Sequence, residues 1–211
     1  MGFKKGGLAL TRIASKLYPG RTIPLVSDMT NQRDLPRLAT PANCTRVLGA
    51  YWMPNPQFVE ELAQFLKGKR VLEVFAGNGF LASLLAARGV SIRATTRFSG
   101  HDAHQHGVYC DVEDVDAVTA VRQYGHEHDV LLMCWPTVTP AALLAVAEWG
   151  DDKDLVYIGE RTDYDKGYLG GCATDAFFEY VQFSKRFESY TGNMLEAALV
   201  GRFNPSAAFR V

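Results

Sequence analysis

The sequence predicts an α/β protein built on a largely parallel β-sheet, and three observations support this fold class. The stretch 71–82 reads as a short apolar strand, a glycine-containing turn and the start of a helix. After it, strand patterns alternate with helical patterns, which is typical of a parallel sheet covered by helices. Apolar residues make up 47% of the chain and charged residues 21%, a composition that supports a folded core.

The stretch 71–82 is the segment on which the predicted fold and ligand site chiefly depend. Val71, Leu72 and Val74 suit a strand that is buried on both faces, as in a parallel sheet. Gly77 and Gly79 permit backbone angles and close approaches that a Cβ atom would block. Because ligands of open α/β sheets bind at the carboxyl ends of the strands, this turn is the predicted ligand site.

The remaining elements follow in order along the chain. Strands are predicted over 71–74, 90–96, 108–111, 128–136, 155–159, 185–190 and 196–203. Helices are predicted over 56–67, 80–88, 112–124, 139–149 and 174–183, with Pro56 as a favoured first residue and Gly68 after the last turn of the first helix.

Composition argues against several classes of protein. No run of about eighteen apolar residues is present, so no membrane span is expected, and the N-terminus is a poor signal peptide. The four cysteines are scattered and form no Cys-x-x-Cys motif, which indicates reduced thiols rather than a disulfide frame or a zinc site. These features predict a cytoplasmic protein.

Charge divides the chain in two. Residues 1–46 carry eight Lys and Arg but only two Asp, a net charge of +6, whereas the whole chain carries −1. The prolines within 21–44 favour an extended segment. We therefore predict a basic N-terminal arm, 1–46, followed by a domain, 47–211. The arm could contact nucleic acid or another anionic partner, or it could pair with its own acidic domain, and both readings stay open.

Glu73, Gly77 and Gly79 resemble the first motif of the class I S-adenosylmethionine-dependent methyltransferases, an acidic residue followed by a Gly-x-Gly turn. The resemblance covers about 51–205. It implies a three-layer, Rossmann-like, seven-stranded sheet, mostly parallel with an antiparallel C-terminal strand. It also implies methyl transfer from S-adenosylmethionine to an acceptor of unknown class. In that family the turn, here with Phe75, holds the methionine part of the cofactor, and the acid lies near its amino group.

The segment just before the first helix has a parallel in the same family. Tyr51, Trp52 and Met53 resemble an aromatic–proline segment that covers the methionine end of the cofactor in several methyltransferases. Tyr51 and Met53 are therefore candidate cofactor contacts. The alternative is a hydrophobic plug on the helix, because buried aromatic residues usually serve packing.

The end of the second strand departs from the family pattern. An acidic residue that binds the ribose is expected there, but the sequence reads Thr96-Arg97. Thr96 or Asp102 would have to hold the ribose instead. An arginine suits a phosphate, and the spacing Gly77-x-Gly79-x-x-Ala82 also fits a dinucleotide fingerprint, so an NADP-binding oxidoreductase is an alternative.

Two further positions are assigned through the resemblance. Asp111, with Val112 beside it, would contact the adenine, although Asp111 could equally cap the next helix. Cys134 and Trp135 precede Pro136, where amine methyltransferases carry a substrate-binding motif. Cys134 is expected at the cofactor and Trp135 as a platform for the substrate, unless the segment is only a strand that ends in a proline turn.

Glu160 follows the fifth strand and is the candidate catalytic base, with an exposed Glu–Arg pair as the alternative. The glycine-rich loop after it, 163–172, is predicted to be a substrate lid.

Three histidines and Asp102 lie within 101–106, but no metal site is predicted because no matching ligand cluster occurs elsewhere. Two further readings of the whole chain stay open: a related fold that binds S-adenosylmethionine but performs a different reaction, and a non-catalytic binding module on the same fold.

Overall fold

The computed structural model describes residues 49–98, 104 and 107–207. The predicted basic arm, 1–46, lies outside the described residues, as do Asp102 and the other residues of 101–106 except His104. Within the described part of the chain, no helix is both long enough and apolar enough to span a bilayer.

Seven strands form one sheet. They are β1 (Arg70–Val74), β2 (Ser91–Thr96), β3 (Val112–Asp114), β4 (Val130–Cys134), β5 (Asp154–Glu160), β6 (Val181–Arg186) and β7 (Glu196–Phe203). Their order in the sheet is β3-β2-β1-β4-β5-β7-β6. Every neighbouring pair is parallel except those of β7, which runs antiparallel to both β5 and β6. The predicted mostly parallel sheet with an antiparallel C-terminal strand is confirmed.

Within residues 49–98 and 107–207, five helices accompany the sheet: α1 (Pro56–Leu66), α2 (Phe80–Ala86), α3 (Ala117–Tyr124), α4 (Ala141–Trp149) and α5 (Asp175–Tyr180). Short 3-10 turns cover Gly125–Glu127 and Tyr164–Lys166. The start of α1 follows from its sequence, since Pro56 lies in its first turn and the Asn55 side chain accepts a hydrogen bond from the Phe58 N–H.

The core has two main layers, one on each face of the sheet, as the three-layer prediction requires. Side chains alternate along β4: Leu131 and Met133 pack with α3 and α4, whereas Val130 and Leu132 pack with α1 and α2. The same alternation along β1 places Val74 on the first face. Glu73 therefore points to the face that α1 and α2 cover.

Two predicted strands are displaced. The third strand is predicted over 108–111 but begins at Val112, because the preceding segment packs on the glycine turn: the Tyr109 N–H donates to the Asn78 carbonyl at 2.8 Å. The following helix begins at Ala117, and its N-cap is Asp116 instead of Asp111. The capping alternative for Asp111 is therefore wrong.

The sixth strand covers Val181–Arg186 instead of the predicted 185–190, because α5 ends at Tyr180 and the chain pairs with β7 at once. Phe187 and Tyr190 lie beyond the end of β6 and pack edge-on against Phe58 of α1. Tertiary packing of these aromatic rings outweighs the local strand pattern that they create.

The strand order reverses direction between β1 and β4. The connections after these two strands run to opposite sides and leave a crevice at their carboxyl ends. In open α/β sheets, ligands bind at such a reversal point.

Candidate functional site

A cavity of about 420 Å³ opens at the carboxyl ends of β1 and β4. Its volume lies within the range of small-molecule sites. The residues that line it are 49–52, 73, 75–78, 80–81, 134–138 and 171–172. These residues come from the segment before α1, the β1–α2 turn, the exit of β4 and the loop after β5.

Among the described residues, Glu73 is the only charged one that lines the cavity. Its side chain is fully buried, and neither carboxylate oxygen has a hydrogen-bond partner in the part of the chain that the structure describes. Burial raises the pKa of Glu73 to about 8. A buried carboxylate without a partner is costly, so the group holds its proton at neutral pH until a donor or a cation is supplied.

A second polar group of the cavity also lacks a partner. The indole Nε1–H of Trp135 is buried and donates no hydrogen bond. Most buried polar groups of native proteins are hydrogen-bonded, so each exception requires an explanation. The two residues that carry these unsatisfied atoms both line the cavity, which makes it the candidate ligand site.

The backbone around the cavity is strained. Among the described residues, the non-glycine residues with positive φ are Phe75 (62°), Trp135 (52°) and Ala173 (55°). The first two line the cavity, and the third follows Cys172, which also lines it. Such residues cost about 1–3 kcal/mol each and cluster at functional sites.

Hydrogen bonds hold these strained residues in place. The Trp135 N–H donates to the Ile158 carbonyl at 2.7 Å, and the Ala173 N–H donates to the Pro136 carbonyl at 3.2 Å. Beyond Phe75, the Ala76 N–H donates to the Thr95 carbonyl at 3.1 Å. The neighbouring strands thus fix the cavity walls before any ligand arrives.

The two glycines of the turn have different surroundings. Gly77, with φ of 56°, lines the cavity. Gly79, with φ of 77°, caps α2, and a Cβ there would lie 2.5 Å from Cys110 Sγ and 2.7 Å from Val112 Cγ2. The chain's own packing therefore requires glycine at position 79.

The structure brings half of the predicted site together. The predicted residues that line the cavity are Tyr51, Glu73, Phe75, Gly77, Cys134 and Trp135. Those that do not are Met53, Gly79, Thr96, Asp111, Val112 and Glu160.

The second group lies elsewhere for identifiable reasons. Met53 is exposed, and Thr96 is buried at the end of β2. Val112 packs in a small cluster with Ala82 and Ala94. Asp111 is exposed and precedes β3, so it does not stand at the carboxyl end of that strand.

Glu160 does not line the cavity but hydrogen-bonds a segment that forms its wall. Its carboxylate accepts a hydrogen bond from the Gly171 N–H at 2.6 Å, and its backbone carbonyl accepts one from the Tyr157 hydroxyl. Arg161 pairs with Asp163 at 3.4 Å. Glu160 thus ties the Gly171–Cys172 segment to the end of β5.

The two thiols of the cavity are poor nucleophiles at neutral pH. Burial raises the pKa of Cys172 to about 11. Burial, together with the nearby Glu73 carboxyl, raises the pKa of Cys134 well above its usual value. Because the thiolate is the reactive form, both cysteines serve as apolar wall.

Sequence reasoning did not name Asn78 and Thr137 as site residues, and it placed Cys172 only within the predicted lid loop, 163–172. Asn78 stands between the two glycines of the turn, which is a usable signal. Cys172 follows Gly170-Gly171, and only the folding of the loop after β5 brings it to the cavity. Among the described residues, no three His, Cys, Asp or Glu side chains converge as metal ligands.

No protein-family model matches the sequence, and neither does any curated protein. Solved structures do match the fold. A mutant of MtNAS in complex with S-adenosylmethionine superposes with a TM-score of 0.51 and 15% identity, over 71% of this chain and 63% of that chain. This chain thus corresponds to less than two thirds of the length of that protein.

Two further structures show the same range of similarity. A protein of the NADB-Rossmann superfamily from Streptococcus agalactiae matches with a TM-score of 0.48 and 15% identity, over 72% of this chain and 70% of that chain. Magnesium protoporphyrin IX methyltransferase from Synechocystis, with bound S-adenosylmethionine, matches with a TM-score of 0.44 and 15% identity, over 69% of this chain and 78% of that chain. At this level of identity, the match to the MtNAS mutant, with its TM-score of 0.51, shows the fold alone, and the activity has to be argued from the cavity.

Proposed function

We propose that this protein is an S-adenosylmethionine-dependent methyltransferase and that the cavity at the ends of β1 and β4 holds the methionine half of the cofactor. The observation that carries the proposal is the buried, unpartnered carboxyl of Glu73. The amino group of the cofactor is a cation, and pairing with it would supply the charge and hydrogen bonds that Glu73 lacks.

The rest of the cavity fits the same part of the cofactor. The turn 75–78 contributes backbone without a side chain at Gly77, where an amino acid group can lie close. When bound, the cofactor supplies an electrophilic methyl group. Trp135 and Tyr51 would exclude water and orient the acceptor, and methyl transfer depends chiefly on such alignment.

The adenosine half has no comparable fit among the described residues. Thr96, Asp111 and Val112 do not line the cavity, and no acid stands directly after β2. The residues after β2, 99–103 and 105–106, lie outside the described part of the chain. The proposal is therefore built on the methionine half alone.

An NADP-linked oxidoreductase has less support. Arg97, the residue that suggested a phosphate, is exposed and does not line the cavity. Among the described residues, no Lys, Arg or His lines the cavity, so a pyrophosphate would find no compensating cation there. The charge of the cavity favours a positively charged ligand.

Calorimetry with S-adenosylhomocysteine and with NADPH tests the proposal. Wild-type protein should bind the first ligand and not the second. Glu73→Gln should weaken S-adenosylhomocysteine binding by about tenfold or more, because a charge-assisted hydrogen bond is lost. Glu60→Gln, at an exposed position on α1, is the matched control. Binding of neither ligand would favour the non-catalytic module.

A second part of the proposal concerns the basic N-terminal segment of the chain. We propose that residues 1–46 form a basic arm on a domain that spans 47–211, and that the arm binds an anionic partner such as nucleic acid. Its net charge of +6 supports this role. The scattered cysteines support a cytoplasmic location. Binding of full-length protein to DNA at two salt concentrations, compared with a variant that lacks 1–46, tests the arm.

A further inference from the structure

We infer that Tyr190 is a positioning residue for the ligand of the cavity, although it does not line the cavity itself. It lies in the segment 187–195, between β6 and β7, and acts on the cavity through Trp52. The inference rests on the proposed function for the identity of the ligand. It goes beyond that function by giving the connection between β6 and β7 a role in ligand binding.

Trp52 forms part of the cavity wall and depends on its ring contacts for its orientation. It belongs to the segment 51–55, which is neither helix nor strand, and its side chain is only partly buried. Tyr190 stacks on the indole with 5.8 Å between ring centroids and 29° between the ring planes, whereas Phe58 meets it edge-on at 5.9 Å. Because the Tyr190 ring lies against the face of the indole, its placement sets the tilt of this wall.

The Tyr190 side chain is fixed at its far end by a hydrogen bond. The residue is only 5% exposed, and its hydroxyl donates to Glu196 Oε2 at 2.9 Å. Burial, followed by this bond to a carboxylate, raises the pKa of Tyr190, so the hydroxyl keeps its proton and remains a donor. The Phe58 ring packs edge-on against the same tyrosine at 5.1 Å. Both the ring and the hydroxyl of Tyr190 are therefore held.

Glu196 is a fixed acceptor for this hydroxyl. It begins β7 and pairs with Glu160 at the end of β5. Its other carboxylate oxygen accepts from Asn193 Nδ2 at 2.8 Å, and its backbone N–H donates to the Asn193 carbonyl at 3.1 Å. The turn packs closely on both residues, since a Cβ at Gly192 would lie 2.8 Å from Glu196 Cβ and 2.9 Å from Tyr190 Cε1. The sheet thus holds the carboxylate, and the carboxylate holds Tyr190.

The backbone of the same segment is tied to α1 independently of this hydroxyl. Asn55 Nδ2 donates to the Ser189 carbonyl at 2.9 Å and to Thr191 Oγ1 at 2.8 Å. One helical turn further along, the Glu61 carboxylate accepts from the Ser189 N–H at 3.0 Å. These bonds do not involve the Tyr190 side chain, so the segment should stay in place when the hydroxyl is removed. The effect of the hydroxyl on the cavity can therefore be measured apart from folding.

Calorimetry of the full chain with S-adenosylhomocysteine tests the role of Tyr190. Tyr190→Phe keeps the ring and removes the hydroxyl, and we expect it to weaken binding about five- to tenfold, because small displacements at a binding site are costly. Glu196→Ala should weaken binding by a similar factor, and the double variant no further. Tyr164→Phe is the matched control, because that hydroxyl donates to Asp175 at 2.5 Å and Tyr164 does not line the cavity. Binding by Tyr190→Phe at the wild-type level would overturn the inference.

A second background shows whether Tyr190 acts through Trp52. Trp52→Leu removes the indole from the wall, so adding Tyr190→Phe to it should cause no further loss of affinity for S-adenosylhomocysteine. If Tyr190→Phe causes the same loss in both backgrounds, its effect does not pass through Trp52 and the inference is wrong.

Tryptophan emission tests the contact without any ligand. Tyr190→Phe should shift the emission of the free protein, and the shift should vanish in Trp52→Phe, which lacks the indole. A shift that persists there would come from Trp135 or Trp149 and would contradict the inference. If wild-type protein binds no S-adenosylhomocysteine, the methyltransferase proposal itself fails. The emission then decides whether Tyr190 positions the Trp52 wall, and the absence of a shift would show that it does not.

Discussion

The Gly171 backbone N–H donates a hydrogen bond to the Glu160 carboxylate at 2.6 Å. This contact joins the end of β5 to the loop that carries Cys172 into the cavity wall. A Cβ at position 171 would lie 2.6 Å from Glu160 Oε2, so the loop approaches as closely as a glycine allows. Glu160, predicted as the catalytic base, accepts this hydrogen bond and is not among the residues that line the cavity, a geometry that suits a positioning role.

Substitutions at Glu160 separate the two roles. Glu160→Gln keeps an oxygen that can accept from the Gly171 N–H, whereas Glu160→Ala removes it. We expect Glu160→Ala to speed amide exchange at Gly171 and to weaken ligand binding in the cavity several-fold, and Glu160→Gln to stay close to wild type. Hydrogen exchange and calorimetry provide the measurements. If Glu160 were the catalytic base, both variants would lose turnover equally, and ligand binding in the cavity would be unchanged.

Stability should depend on pH through Glu73. Its pKa is about 8 in the folded protein against 4.5 for the ordinary group, so the folded state holds a proton that the unfolded chain releases. The free energy of unfolding should therefore fall as pH rises from about 5 to 8, by at most about 1.4 kcal/mol per pH unit. Urea unfolding at several pH values measures this slope. Glu73→Gln should flatten it, and an unchanged slope would contradict the assignment.

Ligand binding should be linked to the same proton. A cationic group that pairs with Glu73 favours the ionised carboxyl, so binding at neutral pH should release a proton. Affinity for S-adenosylhomocysteine should rise by up to about tenfold per pH unit below pH 8 and level off above it. Calorimetry in buffers with different ionisation enthalpies counts the released protons. If the observed binding enthalpy is the same in every buffer, binding releases no proton, and Glu73 does not pair with the cation.

Gly79→Ala should destabilise the fold. The new Cβ would meet Cys110 Sγ at 2.5 Å and Val112 Cγ2 at 2.7 Å, in a residue whose φ is 77°. Gly89→Ala is the matched control, because φ there is 81° and nothing lies within 4 Å of its Cβ. Backbone strain should cost about 1 kcal/mol in both variants, and crowding should add about 1–3 kcal/mol at position 79 alone. Thermal unfolding of the two variants measures the difference; equal losses would show that the clash is relieved without cost.

The sequence by itself determined the elements whose patterns are local. The predicted strand over 196–203 matches β7, and the first helix begins at Pro56 as expected. The strand–turn–helix around Gly77 is also correct. In these segments, apolar periodicity, proline and glycine act over a few residues, so no distant partner is needed to predict them.

Only the tertiary structure decided the features that depend on partners far along the chain. β3 begins later than the sequence predicts because the chain before it packs on the turn at Asn78. Gly79 is required by Cys110, a residue 31 positions away. Cys172 joins the cavity, and Glu160 stays outside it, because a hydrogen bond folds one loop back onto β5. Burial and close packing are properties of the assembled layers, so a side chain's surroundings, and with them its chemistry, follow from the fold as a whole.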